Sequence, residues 1–140
     1  MLPLKLVIDT NVVVSGALKP RGLERTALTF ALTPPARLFV SQDILAEYTE
    51  VLRRPELRLA ASEREQLLDL IRAHGRIVAP TRKLAVCRDP DDDIFLECAE
   101  TARADYLITG NKKHFPAYWQ ATKVISAREL LSIISPHLPG

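Results

Sequence analysis

The sequence lacks the features that mark several large classes of protein. It has two cysteines, Cys87 and Cys98, which form neither a CxxC pair nor a His-rich metal pattern. No apolar run approaches the roughly 18 residues of a transmembrane helix. The first residues include Lys5 and Asp9, so this segment is too charged for a secretory signal. We therefore expect reduced thiols and a cytoplasmic protein with no membrane partner.

Several familiar catalytic patterns are missing as well. The chain has no glycine-rich phosphate loop of the Walker type and no Ser–His–Asp pattern. It also has no internal repeat, low-complexity tract or flexible linker, and its ten prolines punctuate one unit. We therefore expect a single domain over residues 1–140, which is long enough to bury a core without disulfides.

What is present is the composition of an ordinary globular protein. Hydrophobic residues make up 47% and charged residues 26%, so no long disordered stretch is expected. The net charge is +2, which suits a polyanionic substrate only where basic side chains cluster.

Short apolar segments alternate with amphipathic ones along the whole chain. Apart from Lys5, residues 4–8 (LKLVI) are apolar and end in β-branched side chains, as in a buried parallel strand. Ser41 is a good helix N-cap, and both 62–65 and 126–129 match the capping-box pattern. This alternation predicts an α/β protein whose parallel sheet carries helices on both faces. The other predicted strands are 37–40, 76–79, 106–109 and 124–125, and the predicted helices are 23–32, 42–53, 62–74, 92–103 and 126–134.

Polar residues that directly follow strands are the first candidates for a site. Ligands of open parallel sheets bind beyond the carboxyl ends of the strands, where Asp9, Thr109 and Asn111 are expected. A carboxylate at the end of a buried strand is costly unless a cation or backbone N–H groups compensate it. Asp9 therefore indicates either a metal ligand or a side chain that caps the following turn.

A second acidic group precedes the helix predicted from residue 92. These carboxylates either cap that helix and favour its dipole, or they bind a cation, since close like charges repel one another. The spacing is not that of an EF-hand loop. Glu47 lies on a predicted helix beside Glu50, where a glutamate is usually solvated surface. The acidic group consists of Asp89, Asp91, Asp92 and Asp93.

Taken together, these segments resemble the PIN-domain family of metal-dependent ribonucleases. The resemblance begins at 7–15 (VIDTNVVVS) and continues through 44–48 (ILAEY). It resumes at 88–96 (RDPDDDIFL) and ends at 104–111 (ADYLITGN). It thus covers nearly the whole chain, and it implies a PIN-like, Rossmann-like three-layer α/β/α fold.

The resemblance also implies which residues form the site. Asp9, Glu47 and Asp93 would be the core acidic ligands and the catalytic residues. Asp93 is preferred because it stands sixteen residues before Thr109, as in the family pattern, and Asp92 is the second choice. The implied cofactor is Mg²⁺ or Mn²⁺, which agrees with hard oxygen ligands.

Other residues of the matched segments would support these ligands. Thr10 and Asn11 would brace the first carboxylate, Ser15 would support the same turn, and Thr109 would orient neighbouring groups. Asn111 stands where the family usually has a fourth acid. Its carbonyl oxygen still allows it to contribute to the metal site, but without a negative charge, which bears on the binding of a second ion.

The predicted function is metal-dependent hydrolysis of RNA, by the toxin of a type II toxin–antitoxin pair. The resemblance implies a homodimer held inactive by an antitoxin protein. Tyr118 and Trp119 would either stack on bases or lie in the core. Basic residues that either hold RNA phosphates or are solvated surface are Lys112, Lys113, Arg53 and Arg54.

Two other functions remain open. A phosphatase-like hydrolase would use Asp9 as its nucleophile, although Asn11 stands where that chemistry usually has a second aspartate. A module that binds metal or RNA without turnover is the other alternative, and Asn111 favours it.

Overall fold

The central strand of the sheet is β1 (Lys5–Ile8), whose Leu6, Val7 and Ile8 side chains are fully buried. It pairs in parallel with β2 (Arg37–Val40) on one side and with β4 (Tyr106–Ile108) on the other. Because helices cover both faces of a parallel sheet, alternate side chains of β1 are buried on either face, which accounts for the apolar run Leu6–Ile8. The computed structural model describes residues 3–137.

Within this range the sheet has six strands in the order β3-β2-β1-β4-β6-β5. The outer strand β3 (Arg76–Ile77) is parallel to β2, and the inner strand β6 (Thr122–Ile125) is parallel to β4. The edge strand β5 (Tyr118–Trp119) runs antiparallel to β6, forming a hairpin with it. The expectation of a parallel sheet is therefore confirmed for all strands except this edge.

Helices connect the strands and cover both faces of the sheet. The chain steps from β1 to β2 to β3 in one direction and then returns past β1 to β4. Because connections between parallel strands are right-handed, this reversal places helices on both sides. Over residues 3–137 there are six α-helices: α1 (Thr10–Leu18), α2 (Leu23–Ala31), α3 (Gln42–Leu52), α4 (Ala61–His74), α5 (Asp93–Ala102) and α6 (Ala127–Ile134).

The reversal also fixes where a ligand can bind. It lies between β1 and β4, whose carboxyl ends open side by side. The Asp9 amide donates to the Ile108 carbonyl at 2.9 Å, so the residues that follow these two strands are held next to each other. Such switch points are the usual ligand sites of open α/β sheets.

The sequence did not predict α1. Its β-branched Val12–Val14 run and its glycine have low helix propensity. Burial stabilises this helix instead, because Val12, Val13 and Ala17 pack into the core against neighbouring helices. A Cβ at Gly16 would lie 3.4 Å from the backbone of Arg25, so the glycine lets α1 and α2 approach closely.

One of the two predicted capping boxes was wrong. α4 begins at Ala61 with Ala60 as N-cap, and Ser62 lies exposed inside the helix. The second is confirmed, since the Glu129 amide donates to Ser126 Oγ at 3.1 Å and the Ser126 amide donates to Glu129 Oε1 at 3.0 Å. Both cysteines are free thiols, as expected. In the part of the chain described, no helix is long and apolar enough to cross a membrane.

Candidate functional site

The carboxylate of Asp9 is the centre of the candidate site. It ends β1, caps α1 and is only 7% exposed. Its Oδ1 accepts the Thr10 amide and its Oδ2 accepts the Thr109 hydroxyl, both at 2.8 Å. Burial raises the pKa of Asp9 to about 6, and the nearby charges of Asp92 and Glu47 add to the rise, although the two hydrogen bonds oppose it. The cap interpretation of Asp9 is thus confirmed, whereas its role as a metal ligand stays a prediction.

Two further hydrogen bonds hold the loop after β4, one within the loop and one to the start of α1. Thr109 Oγ1 accepts the Asn111 amide at 3.0 Å, and Asn11 Oδ1 accepts the Gly110 amide at 3.1 Å. Asn11 therefore braces the neighbouring loop rather than the Asp9 carboxylate. Asn111 itself is exposed and begins a short 3-10 turn.

Glu47 reaches the site from α3. It is half-buried, and its Oε2 accepts the hydroxyl of Thr10 in a short hydrogen bond. Burial raises the pKa of Glu47, as do the charges of Asp91 and Asp92, while the Thr10 hydroxyl lowers it. Thr10 thus links Glu47 to the Asp9 turn. Ser15 was predicted to support the same turn. Its side chain forms no hydrogen bond within residues 3–137, so no contact supports that role.

Asp92 and Asp93 differ in how their oxygens are used. Asp93 is 4% exposed, and its Oδ1 accepts the amides of Val86 at 3.1 Å and Cys87 at 2.8 Å. Asp92 Oδ2 is buried but forms no hydrogen bond among the described residues, and His114 Nδ1 lies 3.6 Å from it. The charge of Asp92 raises the pKa of both Asp9 and Glu47. These contacts favour Asp92 as the acid that faces the site, whereas Asp93 holds a loop.

The carboxylate oxygens of the site suit a hard divalent cation, although they are not arranged around a single ion position. Among residues 3–137, no three His, Cys, Asp or Glu side chains already form a set that could hold one ion. The pKa values of Asp9, Glu47 and Asp92 are nevertheless all raised, first by burial and then by like charges. The unpartnered Asp92 oxygen is a donor of the type that Mg²⁺ and Mn²⁺ prefer. The residues present therefore fit such an ion.

Three of the four predicted RNA-binding residues form ion pairs with carboxylates outside the candidate site. Lys112 Nζ lies 2.7 Å from Glu129, Arg53 lies 3.2 Å from Glu65, and Arg54 lies 3.9 Å from Glu50. The fourth, Lys113, lines a cavity beside Asp92 together with Arg88. Arg88 was not predicted as a basic contact, although it begins the matched acidic segment.

Comparisons with known proteins agree with this geometry. The family model described as "PIN domain" matches residues 5–113. The uncharacterized protein MJ1680 of Methanocaldococcus jannaschii is 31% identical over 114 residues, which span 79% of this chain and 73% of that protein. A chain in the crystal structure of VapBC2 from Rickettsia felis, bound to a DNA fragment from its promoter, superposes with a TM-score of 0.59. The superposition covers 87% of this chain and 98% of that one at 16% identity, a likeness of fold. The chain therefore belongs to the PIN-domain family.

Proposed function

We propose that this chain is a divalent-metal-dependent endoribonuclease that hydrolyses RNA phosphodiester bonds. One observation carries the proposal: the buried Asp9 carboxylate stands at the sheet's switch point among the like charges of Glu47 and Asp92. Keeping several carboxylates together is costly without a cation. The PIN-domain family, to which the chain belongs, is a family of nucleases, and this supports the proposal.

In this proposal each residue of the site has a distinct task. Asp9, Glu47 and one acid of the Asp92–Asp93 pair would hold Mg²⁺ or Mn²⁺, with the Asn111 carbonyl oxygen as a neutral contributor. When bound, such an ion would lower the pKa of a water molecule and neutralise charge on the phosphodiester. Thr109 and Thr10 orient the carboxylates of Asp9 and Glu47 through their hydroxyl groups.

The third ligand is where sequence and geometry differ. The family spacing selects Asp93, but Asp93 Oδ1 accepts the Val86 and Cys87 amides, whereas Asp92 Oδ2 is buried and accepts no hydrogen bond among the described residues. We therefore propose Asp92 as the ligand and Asp93 as the residue that positions it. Asp93 adjoins Asp92 at the start of α5, so fixing one fixes the backbone of the other.

We further propose that the chain is the toxin of a type II toxin–antitoxin pair. The fold it shares with a chain of the Rickettsia felis VapBC2 structure supports this. An antitoxin protein would then hold the toxin inactive. The free toxin would act on cellular RNA in the cytoplasm as a homodimer.

The test is cleavage of a mixed, structured RNA set with Mg²⁺, with Mn²⁺ and with EDTA. We expect wild-type cleavage that requires the metal and that falls at least about 100-fold in Asp9→Asn, because the variant loses one ligand charge. Asp69→Asn is the matched control, since Asp69 is exposed on α4. Cleavage retained by Asp9→Asn would contradict the assignment of Asp9 as a metal ligand. Release of phosphate from small phosphoesters without RNA cleavage would support the phosphatase-like alternative instead.

A further inference from the structure

A cavity of about 700 Å³ lies directly beside the candidate site. It forms where the loop that contains Arg88 and Asp92 faces the segment from Lys113 to Pro116. Cavities of this size hold one small ligand or one unit of a polymer. Because Asp92 lines it, whatever fills the cavity would adjoin the group bound at the carboxylates.

The lining of the cavity combines positive charge with an apolar wall. Arg88 and Lys113 are exposed and form no ion pair with any carboxylate among residues 3–137. Val86, which is 38% exposed, and Pro116 supply apolar surface, together with the small exposed part of Phe115, which is 8% exposed. The lining acid Asp89 is partly engaged, since its Oδ1 accepts the Asp91 amide at 2.9 Å. Free cations beside an apolar wall suit a unit that has both a phosphate and a flat base.

We propose that this cavity binds the nucleotide adjoining the phosphodiester that is cleaved, an inference that rests on the proposed function. Arg88 and Lys113 contact phosphates of the strand, and the base packs against Val86 and Pro116. Phosphate contacts place the strand without reading its sequence, so these two residues set affinity and register.

The same surface continues beyond Pro116. A second cavity of about 670 Å³ is lined by residues 116–120, so Pro116 belongs to both. Tyr118 lies on this stretch and is 69% exposed, contrary to the alternative that it is buried in the core. An exposed aromatic ring next to a basic cavity is a platform for base stacking. The next base of the strand therefore stacks on Tyr118.

Trp119 does not share this role. Its indole Nε1 donates to Glu100 at 3.1 Å, which holds the ring partly buried. The two adjacent aromatic side chains of β5 therefore point in opposite directions, Trp119 toward the protein and Tyr118 toward solvent.

The experiment measures binding of a fluorescein-labelled, single-stranded, eight-nucleotide RNA by anisotropy, with Mg²⁺, in an Asp9→Asn background. Arg88→Gln/Lys113→Gln is compared with Lys19→Gln/Arg21→Gln, which removes the same two charges beyond the opposite end of α1. We expect the cavity variant to bind about tenfold more weakly and its salt slope to fall by about 1.4, roughly 0.7 for each lost phosphate contact. The control variant should change affinity less than about twofold.

Tyr118→Ser separates stacking from charge. It should weaken binding about fivefold or more and leave the salt slope unchanged, because it removes a ring and no phosphate contact. Equal affinity and salt slope for the cavity and control double variants would overturn the proposal, whether or not the wild type cleaves RNA. If the wild type cleaves no RNA but the cavity variant loses binding, the proposed nuclease function fails, and the cavity is an RNA-binding site that adjoins no cleaved bond.

Discussion

At the residue scale, the site depends on which oxygen of each carboxylate is already engaged. Both oxygens of Asp9 accept one hydrogen bond each, so its plane is fixed and each oxygen keeps a lone pair. Asp93 Oδ1 accepts two backbone amides, whereas Asp92 Oδ2 accepts no hydrogen bond within residues 3–137 and has only His114 Nδ1 at 3.6 Å. Two adjacent acids therefore contribute in different ways, one to the loop and one to the site.

This difference predicts separable effects for Asp92→Asn and Asp93→Asn. Asp93→Asn should lower the free energy of unfolding by about 1–3 kcal/mol, because a buried, charge-assisted acceptor is lost. Asp92→Asn should leave stability equal or higher, since it removes a repelling charge, and should abolish cleavage. Urea unfolding and RNA cleavage measure the two effects. A stable but inactive Asp93→Asn beside an active Asp92→Asn would return the ligand role to Asp93.

At the element scale, α6 is stabilised by its capping box and by the ion pair of Lys112 with Glu129. The Lys112 hydrogen bond, followed by the Ser126 amide, lowers the pKa of Glu129 to about 2. Because the folded pKa lies below the ordinary glutamate value of 4.5, this contribution is complete above about pH 4.5 and is lost as the pH falls toward 2.

We therefore expect the difference in unfolding free energy between the wild type and Glu129→Gln to shrink as the pH falls from 6 toward 3. Urea unfolding at several pH values measures it. Glu56→Gln is a control, since Glu56 is exposed on a surface turn and outside any capping box. A difference that stays constant over this range would mean that the glutamate acts here without its charge.

The junction between α4 and β3 predicts a second effect. A Cβ at Gly75 would lie 2.5 Å from the Ile71 carbonyl oxygen, closer than real contacts allow. Gly75→Ala should thus cost about 1–3 kcal/mol, as overpacking does elsewhere. At Gly22 the closest atom would be 3.3 Å away, so Gly22→Ala should cost less. Denaturant midpoints compare the two, and equal midpoints would contradict the argument.

Elements were predictable where a local signal agreed with the fold. Residues 37–40, for example, form β2 as predicted, because all but the first of these side chains are buried in the sheet. α1 was missed because its β-branched residues favour strands, and only packing against α2 and α3 makes it helical. The two-residue strand β5 has no periodicity to detect and exists through its pairing with β6.

At the scale of the whole molecule, the sheet order brings together residues that are far apart in sequence. Asp9 and Thr109 are one hundred positions apart, yet the neighbouring ends of β1 and β4 make them hydrogen-bonded partners. Asp9, Glu47 and Thr109 could be predicted as site residues because their segments match the family pattern. The cavity, the choice between Asp92 and Asp93, and the pairing of Lys112 with Glu129 depend on tertiary contacts, which motif spacing does not contain.

Metal binding should therefore stabilise the entire fold and not only the site. An ion at one hundred times its dissociation constant adds about 2.7 kcal/mol, which raises the Tm by several degrees for a domain of this size. We expect Mn²⁺ or Mg²⁺ to raise the Tm of the wild type but not that of Asp9→Asn, as measured by differential scanning fluorimetry. Equal shifts in the two proteins would point to a binding site elsewhere.

Asp9 is both a helix cap and a candidate ligand. This double role determines which substitution of Asp9 gives a useful inactive protein. Alanine would remove the acceptor for the Thr10 amide at the start of α1, so an inactive alanine variant could simply be misfolded. Asparagine keeps a carbonyl oxygen for that amide, and its NH₂ group can donate to Thr109 Oγ1 once the hydroxyl rotates. An asparagine variant is thus the suitable trap for capturing uncut RNA strands from a cell, because it loses the charge and keeps the cap.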